Sequence, residues 1–279
     1  MSIVTMILGE SGTGKSASLR NFSPQDTLLI QPIAKPLPFR SAGFKPFHKT
    51  ANPQGNIFVT DDAASIIKLM QRTMRRVIVI DDFQYIMANE YMRRAKEHGF
   101  GKFTDIGRNA WDILNAAATL PDNKRVYLLS HTATDEIGRT KIKTIGKMLD
   151  EKITLEGMVT IVLRTQVQDG HYCFTTRNNG QDTTKTPMGL FEDGLIDNDL
   201  AAVDSAITDY YAGEELPQPE ALPETDEENT FYPQDKFIQF LPQWQALIKQ
   251  GKQTAHSLIA MIESKAPLND DQKTIIHTL

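Results

Sequence analysis

Short runs rich in β-branched and aliphatic residues recur along the first two hundred residues or so, separated by longer stretches in which apolar residues return every three or four positions. The strand candidates are Ile3–Leu8, Thr27–Gln31, Ile57–Thr60, Val77–Asp81, Arg125–Ser130, Val159–Thr165 and Tyr172–Thr176. Ile3–Leu8 is a nearly unbroken apolar run of the kind that suits a parallel strand buried on both faces. Between the strands, Asp61-Asp62 predicts the cap of a helix to about Met74, and Thr104–Thr119 places Ile106, Ala110, Ile113, Leu114 and Ala117 on one side of another. This alternation predicts an α/β fold with a mostly parallel central sheet. Asp169-Gly170, between the last two strands, is a two-residue turn signal, so the sheet is expected to end in an antiparallel hairpin. Asp197-Asn198-Asp199 predicts a cap for a helix to about Tyr211, which closes a domain over residues 1–212.

The pattern then changes. Residues 213–230 carry Pro217, Pro219 and Pro223 with seven acidic and no basic residues, the composition of a solvated linker. Residues 231–279 predict a small helical C-terminal module, with Phe237, Phe240, Leu241, Trp244 and Leu247 at helical spacing, then Leu258, Ile259 and Ile262, then a capping box at Asn269–Gln272. Phe240, Trp244 and Leu247 either form this module's own core or dock a partner such as a single-strand-binding protein. The net charge of −5 belongs to the tail: residues 1–212 hold 25 Lys and Arg against 24 Asp and Glu, residues 213–279 hold 5 against 11. At 40% hydrophobic content, without a basic apolar leader or a membrane-length apolar run, the chain is expected to be a cytoplasmic protein with no membrane partner. A single cysteine, Cys173, excludes an intramolecular disulfide and a multi-cysteine zinc site.

The chemistry begins at Gly9-Glu10-Ser11-Gly12-Thr13-Gly14-Lys15-Ser16, a G-x-x-x-x-G-K-S run between a strand candidate and a helix candidate. The bare pattern arises by chance in about one chain in a hundred of this length, and the flanking strand and helix lower that further. Backbone N–H groups wrap closely packed phosphates only where no Cβ intrudes, which is what the glycines supply. Lys15 brings positive charge to the outer phosphates and assists catalysis, Ser16 offers a hydroxyl to Mg²⁺, and the helix expected to start near Lys15 points its positive end at the anion. Gly9 through Ala17 are therefore the expected contacts to ATP with Mg²⁺.

Val77-Ile-Val-Ile-Asp81-Asp82 is an apolar strand ending in two carboxylates, the form of a Walker B segment. Asp81 is expected to hold Mg²⁺ opposite Ser16, and Asp82 to orient or activate the attacking water, or to cap the next helix. Val126–Thr132 is a second buried strand with a polar end, where Ser130 or His131 is placed to sense the terminal phosphate. The other five histidines have no metal-ligand spacing. Three basic clusters stand out, at 72–76, 93–96 and 139–147. The third, with Arg139, Lys141, Lys143 and Lys147 in a polar, poorly periodic loop, is the candidate nucleic-acid contact.

Together with Gly14–Arg20, Lys35-Pro-Leu-Pro-Phe39, Asp81-Asp-Phe-Gln-Tyr85 and the stretch Thr175–Leu190, these segments give residues 1–212 a resemblance to phage-encoded AAA/RecA-like ATPases, among them the short RecA-like single-strand annealing recombinases of the Sak group. The resemblance implies a RecA-like P-loop NTPase core, ATP with Mg²⁺, homo-oligomeric rings or filaments, and single-stranded DNA as partner. It also implies a catalytic glutamate at the end of the strand after the phosphate-loop helix. This chain has Gln31 there, followed by Lys35, which leaves the water to Asp82 or Glu10, lets Lys35 approach a phosphate, and implies slow turnover. The expected function is thus an ATPase of phage DNA recombination or replication that couples nucleotide state to single-stranded DNA binding or annealing. The alternative is a slowly hydrolysing assembly or loading factor that acts through protein partners.

Overall fold

The computed structural model describes residues 1–146, 148–212, 231–264 and 266–279. The acidic segment 213–230 and Lys147 lie outside the described residues. Two compact units divide the chain, Met1–Gly213 and Glu214–Leu279. The first is an α/β fold built on one nine-stranded sheet, with β1 (Ile3–Gly9), β2 (Thr27–Gln31), β3 (Ile57–Val59), β4 (Val77–Asp81), β5 (Arg125–Thr134), β6 (Thr140–Ile142), β7 (Ile161–Gln168), β8 (His171–Thr175) and β9 (Leu195–Asp197). Its helices are α1 (Ala63–Arg72), α2 (Gln84–Arg93), α3 (Gly101–Ala118) and α4 (Leu200–Ala212).

The strand order is β3-β2-β4-β5-β1-β7-β8-β9, with β6 folded back on β5. The strands from β3 to β7 are parallel, and β8 and β9 extend the sheet antiparallel. Successive residues of a strand face opposite ways, and two cores follow from that. Met6, Leu8, Ile30, Ile78, Ile80, Val126 and Leu128 pack with residues of α1, α2 and α3; Ile7, Leu29, Val79, Tyr127 and Leu129 pack with residues of α4 and the segment after the phosphate loop. The parallel strands therefore bury both faces, as their apolar composition requires.

Several expectations are corrected by the structure. Residues Ser16–Asn21 form a six-residue 3₁₀ helix rather than an α-helix. Ser18 Oγ donates to Lys15 O at 2.6 Å, Ser18 N divides between Gly14 O and Lys15 O, and Phe22 turns extended ahead of Pro24, so side-chain competition and an early stop leave no room for α-helical turns. The loop expected at 139–147 contains a strand: β5 runs on to Thr134, and β6 pairs with it from Thr134↔Thr140 to Thr132↔Ile142. Ile142 is buried there, and its N–H donates to the buried Glu156. The terminal hairpin turns at Asp169 (φ 51°) and Gly170 (φ 80°), the conformation of a type I′ turn, but β9 adds a third antiparallel strand. Asp62 and Asp199 cap α1 and α4 by accepting from Ser65 N and Ala201 N at 2.8 and 3.0 Å.

The second unit contains α5 (Gln234–Lys249), α6 (Ala255–Glu263) and α7 (Asp270–His277), the last opened by the Asn269–Gln272 capping box. Trp244 is buried among Phe237, Leu258, Ile262 and Ile276, with the rings of Tyr232, Phe237 and Phe240 around it at 5.5–6.0 Å. Trp244 thus belongs to the module's core and is not a surface anchor for a partner; Phe240 and Leu247 pack against the same core. Among the described residues, no helix is long and apolar enough to cross a membrane.

One polar cluster fastens α4 to the sheet. Asp204 accepts from Arg125 Nε at 2.5 Å and Nη2 at 2.9 Å and from the Tyr127 hydroxyl at 2.5 Å, with Tyr127 fully enclosed. Asp204→Ala strands a nearly buried guanidinium and a buried phenol, and should lower stability by about 3 kcal/mol in urea melts, against about 1 kcal/mol for Tyr127→Phe. Burial first, then the Asp204 charge, holds the Tyr127 pKa well above its ordinary value. The folded chain therefore keeps a proton that the unfolded chain releases: this contribution is complete below about pH 10 and fades as pH rises further. Melts between pH 9 and pH 11, values spanning the usual tyrosine pKa, should show a shallower alkaline loss for Tyr127→Phe.

Candidate nucleotide-binding site

A parallel sheet presents its ligand crevice beyond the C-terminal ends of its strands. There β1 ends at Gly9, β4 at Asp81, and β5 lies hydrogen-bonded between them with Gly9 opposite His131 and Asp81 opposite Leu129. A cleft of about 540 Å³ opens at this edge, lined by Ser11, Gly12, Gly14, Lys15 and Ser16 from the loop and by Lys35, Asp82, His131 and Tyr172. A larger depression of about 770 Å³ lies at the other ends of the same strands, beside Ile3, Arg125 and Val159. It has neither the glycine loop nor the paired acids, so the chemistry selects the smaller cleft.

Two loop glycines are required for different reasons. A Cβ on Gly9 would collide with Thr165 Oγ1 and come within 2.7 Å of Thr13 Oγ1. Those two hydroxyls share a hydrogen bond of 2.6 Å, which staples the loop to β7. Gly14 has φ +99°, and a Cβ there would press on Tyr172 and Asn198 at 2.9 and 3.1 Å. Lys15 is buried, and its ammonium donates to Gly9 O at 2.8 Å and Glu10 O at 2.7 Å. Burial lowers its pKa to about 8, against the pull of Asp82 and Asp81. The six-residue 3₁₀ helix gives little macrodipole, which leaves the loop N–H groups and Lys15 as the groups available to an anion here. Glu10 is exposed and does not line the cleft, whereas Asp82 does.

Ser16 Oγ donates to Asp81 Oδ1 at 2.8 Å and lies 3.1 Å from Oδ2. Two adjacent ligands of an octahedral Mg²⁺ with 2.0–2.1 Å bonds stand about 2.9 Å apart, so hydroxyl and carboxylate are spaced as such a pair. Among the described residues no three His, Cys, Asp or Glu side chains cluster as a metal cage. A serine and one aspartate suit an ion that retains waters and phosphate oxygens, which is the habit of Mg²⁺.

Neighbouring residues in a strand point to opposite faces, yet Asp81 and Asp82 both reach one ammonium. Asp82 makes this possible by leaving the strand at φ +69°, one of two non-glycine residues with positive φ among those described. Lys35 Nζ contacts Asp82 Oδ2 directly and lies 3.4 Å from Asp81 Oδ2 and 3.5 Å from Ser16 Oγ. Burial disfavours the charge on Lys35, but Asp81 and Asp82 outweigh it and raise its pKa; burial likewise raises that of Asp81, with Lys35 opposing. His131 Nε2 stands 3.6 Å from Asp82 Oδ1, its pKa lowered by burial and by Lys15. Ser130 is turned away into the core, where its hydroxyl donates to Gln84 Oε1 at 3.2 Å, so His131 alone of the pair faces the cleft.

Some participants carried no sequence signal. Gln84 accepts from both Ser130 Oγ and His131 N and so locks α2 to β5; it sits inside the Asp81–Tyr85 segment, yet nothing in its spacing announces the contact. Thr165, Tyr172 and Asn198 reach the loop from β7, β8 and the turn after β9. Gln84 Nε2 and Asn198 Nδ2 are buried donors without a partner beside the site. Of the basic clusters, the first two are engaged internally: Arg75 donates to Gln25 O and Gln54 O, Arg76 pairs with Asp26, Arg93 with Asp61, and Arg94 with Glu90, Glu97 and Asp105. The third places Arg139, Lys141 and Lys143 at alternate positions in and immediately flanking β6, with Arg139 and Lys143 exposed.

No protein-family model matches the chain, and no curated protein matches its sequence. The Thr13–Thr165 staple makes a direct prediction. Gly9→Ala should lower both stability and nucleotide affinity, and Thr165→Ala in the same chain should restore part of each, with a coupling of about 1 kcal/mol or more in a double-mutant cycle of thermal melts.

Proposed function

We propose that the chain is a phage-encoded RecA-like P-loop ATPase of DNA recombination or replication, assembled as a homo-oligomer, that couples ATP and Mg²⁺ binding to single-stranded DNA. The observation that carries the nucleotide half is the meeting of Ser16 with Asp81 beneath a loop in which Gly9 and Gly14 leave no room for a side chain. β5, which carries His131, lies between the phosphate-loop strand and the acid strand and so sets a polar group next to both. Mg²⁺ would be held by Ser16 and Asp81 and would offset charge on the phosphates. Lys15 would leave the carbonyls of Gly9 and Glu10 for phosphate oxygens, and the ligand's charge would favour its protonated form. Asp82, with His131 beside it, is the group positioned to orient a water.

The basic segment around β6 supports the DNA half. Residues two apart in a strand are separated by about 6.8 Å, so Arg139, Lys141 and Lys143 form a short cationic row suited to a phosphate backbone. The acidic Asp135 and Glu136 precede this row in the same hairpin, so the contact is expected to be local to β6. A second reading, a slowly hydrolysing assembly or loading factor, is favoured by the engagement of Asp82 with Lys35 in place of a free acid.

ATP turnover should rise on addition of single-stranded DNA at low salt, disappear in Lys15→Ala, and lose its DNA response in the Arg139→Ala/Lys143→Ala double variant while basal turnover persists. Failure to bind nucleotide would overturn the whole reading; turnover indifferent to DNA, with an oligomer that forms only with nucleotide, would select the assembly factor.

A further inference from the structure

Lys35 occupies a position that no nucleotide-binding pattern demands. It follows β2 by four residues, and its backbone is held by Gln31, whose side-chain amide donates to Lys35 O at 3.3 Å; Gln31 itself is buried. Pro32 and Pro36 bracket the segment and restrict its φ angles. The side chain, by contrast, is one-third exposed. A fixed stem thus delivers a partly solvated ammonium to three oxygen donors at once: Ser16 Oγ, Asp81 Oδ2 and Asp82 Oδ2.

We propose that Lys35 is a built-in counter-cation of this site: its ammonium holds the same oxygens that would receive a divalent metal, so lysine and metal compete for them. The inference rests on the Mg²⁺-nucleotide reading above and deepens it. Mg²⁺ needs its oxygens at 2.0–2.1 Å in near-octahedral order, and an ammonium in contact with Asp82 and within 3.5 Å of Ser16 Oγ and Asp81 stands inside that volume. Two unit charges at ~4 Å repel by about 4 kcal/mol at an effective dielectric constant of 20, and a divalent ion doubles that. Metal and ammonium therefore do not share the three oxygens with Lys35 where it stands. A triphosphate removes the conflict by giving the displaced ammonium an anionic partner in the same cleft. Metal binding without nucleotide is thus suppressed, and metal binding with nucleotide is favoured. The same contact neutralises Asp82 until the ammonium leaves, which links the availability of that carboxylate to loading of the site.

The test uses the full chain and Mn²⁺ as probe, read by loss of the free-ion electron paramagnetic resonance signal. Without nucleotide, Lys35→Gln should bind Mn²⁺ at least about tenfold more tightly than the unmodified chain, since it removes the competing charge. Lys35→Arg, which keeps the charge, should stay close to the unmodified chain, and Lys35→Gln/Asp81→Asn should lose the gain. With a non-hydrolysable ATP analogue present, the gap between the unmodified chain and Lys35→Gln should narrow or reverse. Equal Mn²⁺ affinity in the unmodified chain and Lys35→Gln without nucleotide would overturn the proposal. A second measurement needs no variant: acetylation of the Lys35 amine, followed by peptide mass spectrometry, should accelerate as Mn²⁺ saturates the site without nucleotide. A rate unchanged across that titration also overturns it. If the analogue binds with Mn²⁺ while either of these results is negative, the nucleotide site stands and the role of Lys35 falls. If the analogue does not bind at all, both fall.

Discussion

Two ammonium groups and two carboxylates share the C-terminal edge of β1, β4 and β5, and burial makes each depend on the others. Asp81 is almost wholly enclosed and Lys15 nearly so, and neither is tolerable there as an isolated charge, because removing one partner of a buried pair costs about 3–5 kcal/mol. The cluster is neutral as a set. A phosphate entering the crevice brings negative charge to a place where Lys15 and Lys35 are already committed to protein oxygens. On the proposed reading, binding would be an exchange of partners, and the selectivity of the site would come from which ligand replaces those contacts most completely. A triphosphate with its cation would do so on both counts; a lone anion or a lone cation would satisfy only one side.

The sheet topology makes this exchange possible. Because β5 separates β1 from β4, the loop and the acids converge from either side of a strand that carries His131 level with Gly9. Asp82 lies in the left-handed region, which costs a non-glycine residue roughly 1–2 kcal/mol. The return is geometric: both acids reach the Lys35 ammonium, and Gln84 lands where its amide oxygen receives both Ser130 Oγ and His131 N. The backbone strain and the buried amide act as one device, fixing the start of α2 against β5.

The sequence made legible those features whose cause is local. The run at Gly9–Ser16, the strand Val77–Asp81 and the turn at Asp169-Gly170 each follow from steric freedom or from unbroken β-branched stretches, and each stands where its pattern places it. Features decided by partners far along the chain were hidden. Whether residues 16–21 become α or 3₁₀ depends on Ser18 and on the stop before Pro24. The strand at Thr140–Ile142 forms because Ile142 finds a core position and the buried carboxylate of Glu156, 14 residues away. Thr165 matters only because β7 lies beside β1, an adjacency that no local pattern encodes. Trp244 shows the converse: helical spacing revealed an apolar stripe, but only the packing of Leu258, Ile262 and Ile276 shows that the stripe faces inward.

The same long-range contacts bear on how a nucleotide could be felt outside its crevice. The β5–β6 hairpin continues β5 beyond its pairing with Gly9, and Lys143 N donates to His131 O at 2.8 Å. His131 is thus bonded through its backbone to the basic segment while its ring faces Asp82 at 3.6 Å. On its other side, Gln84 ties the His131 N–H to α2. His131, beside Asp82, is thus one residue whose backbone is held from both directions, by the basic segment and by α2. Proximity alone is not coupling; a physical route needs an element with two arrangements that both sites bias. Lys35 supplies a candidate for that element, because its ammonium has one set of oxygens in Asp81 and Asp82 and another in any phosphate that enters. In that arrangement the lysine that follows Gln31, the residue standing where the glutamate is expected, would make the site responsive, since a fixed acid would have had no second partner to exchange.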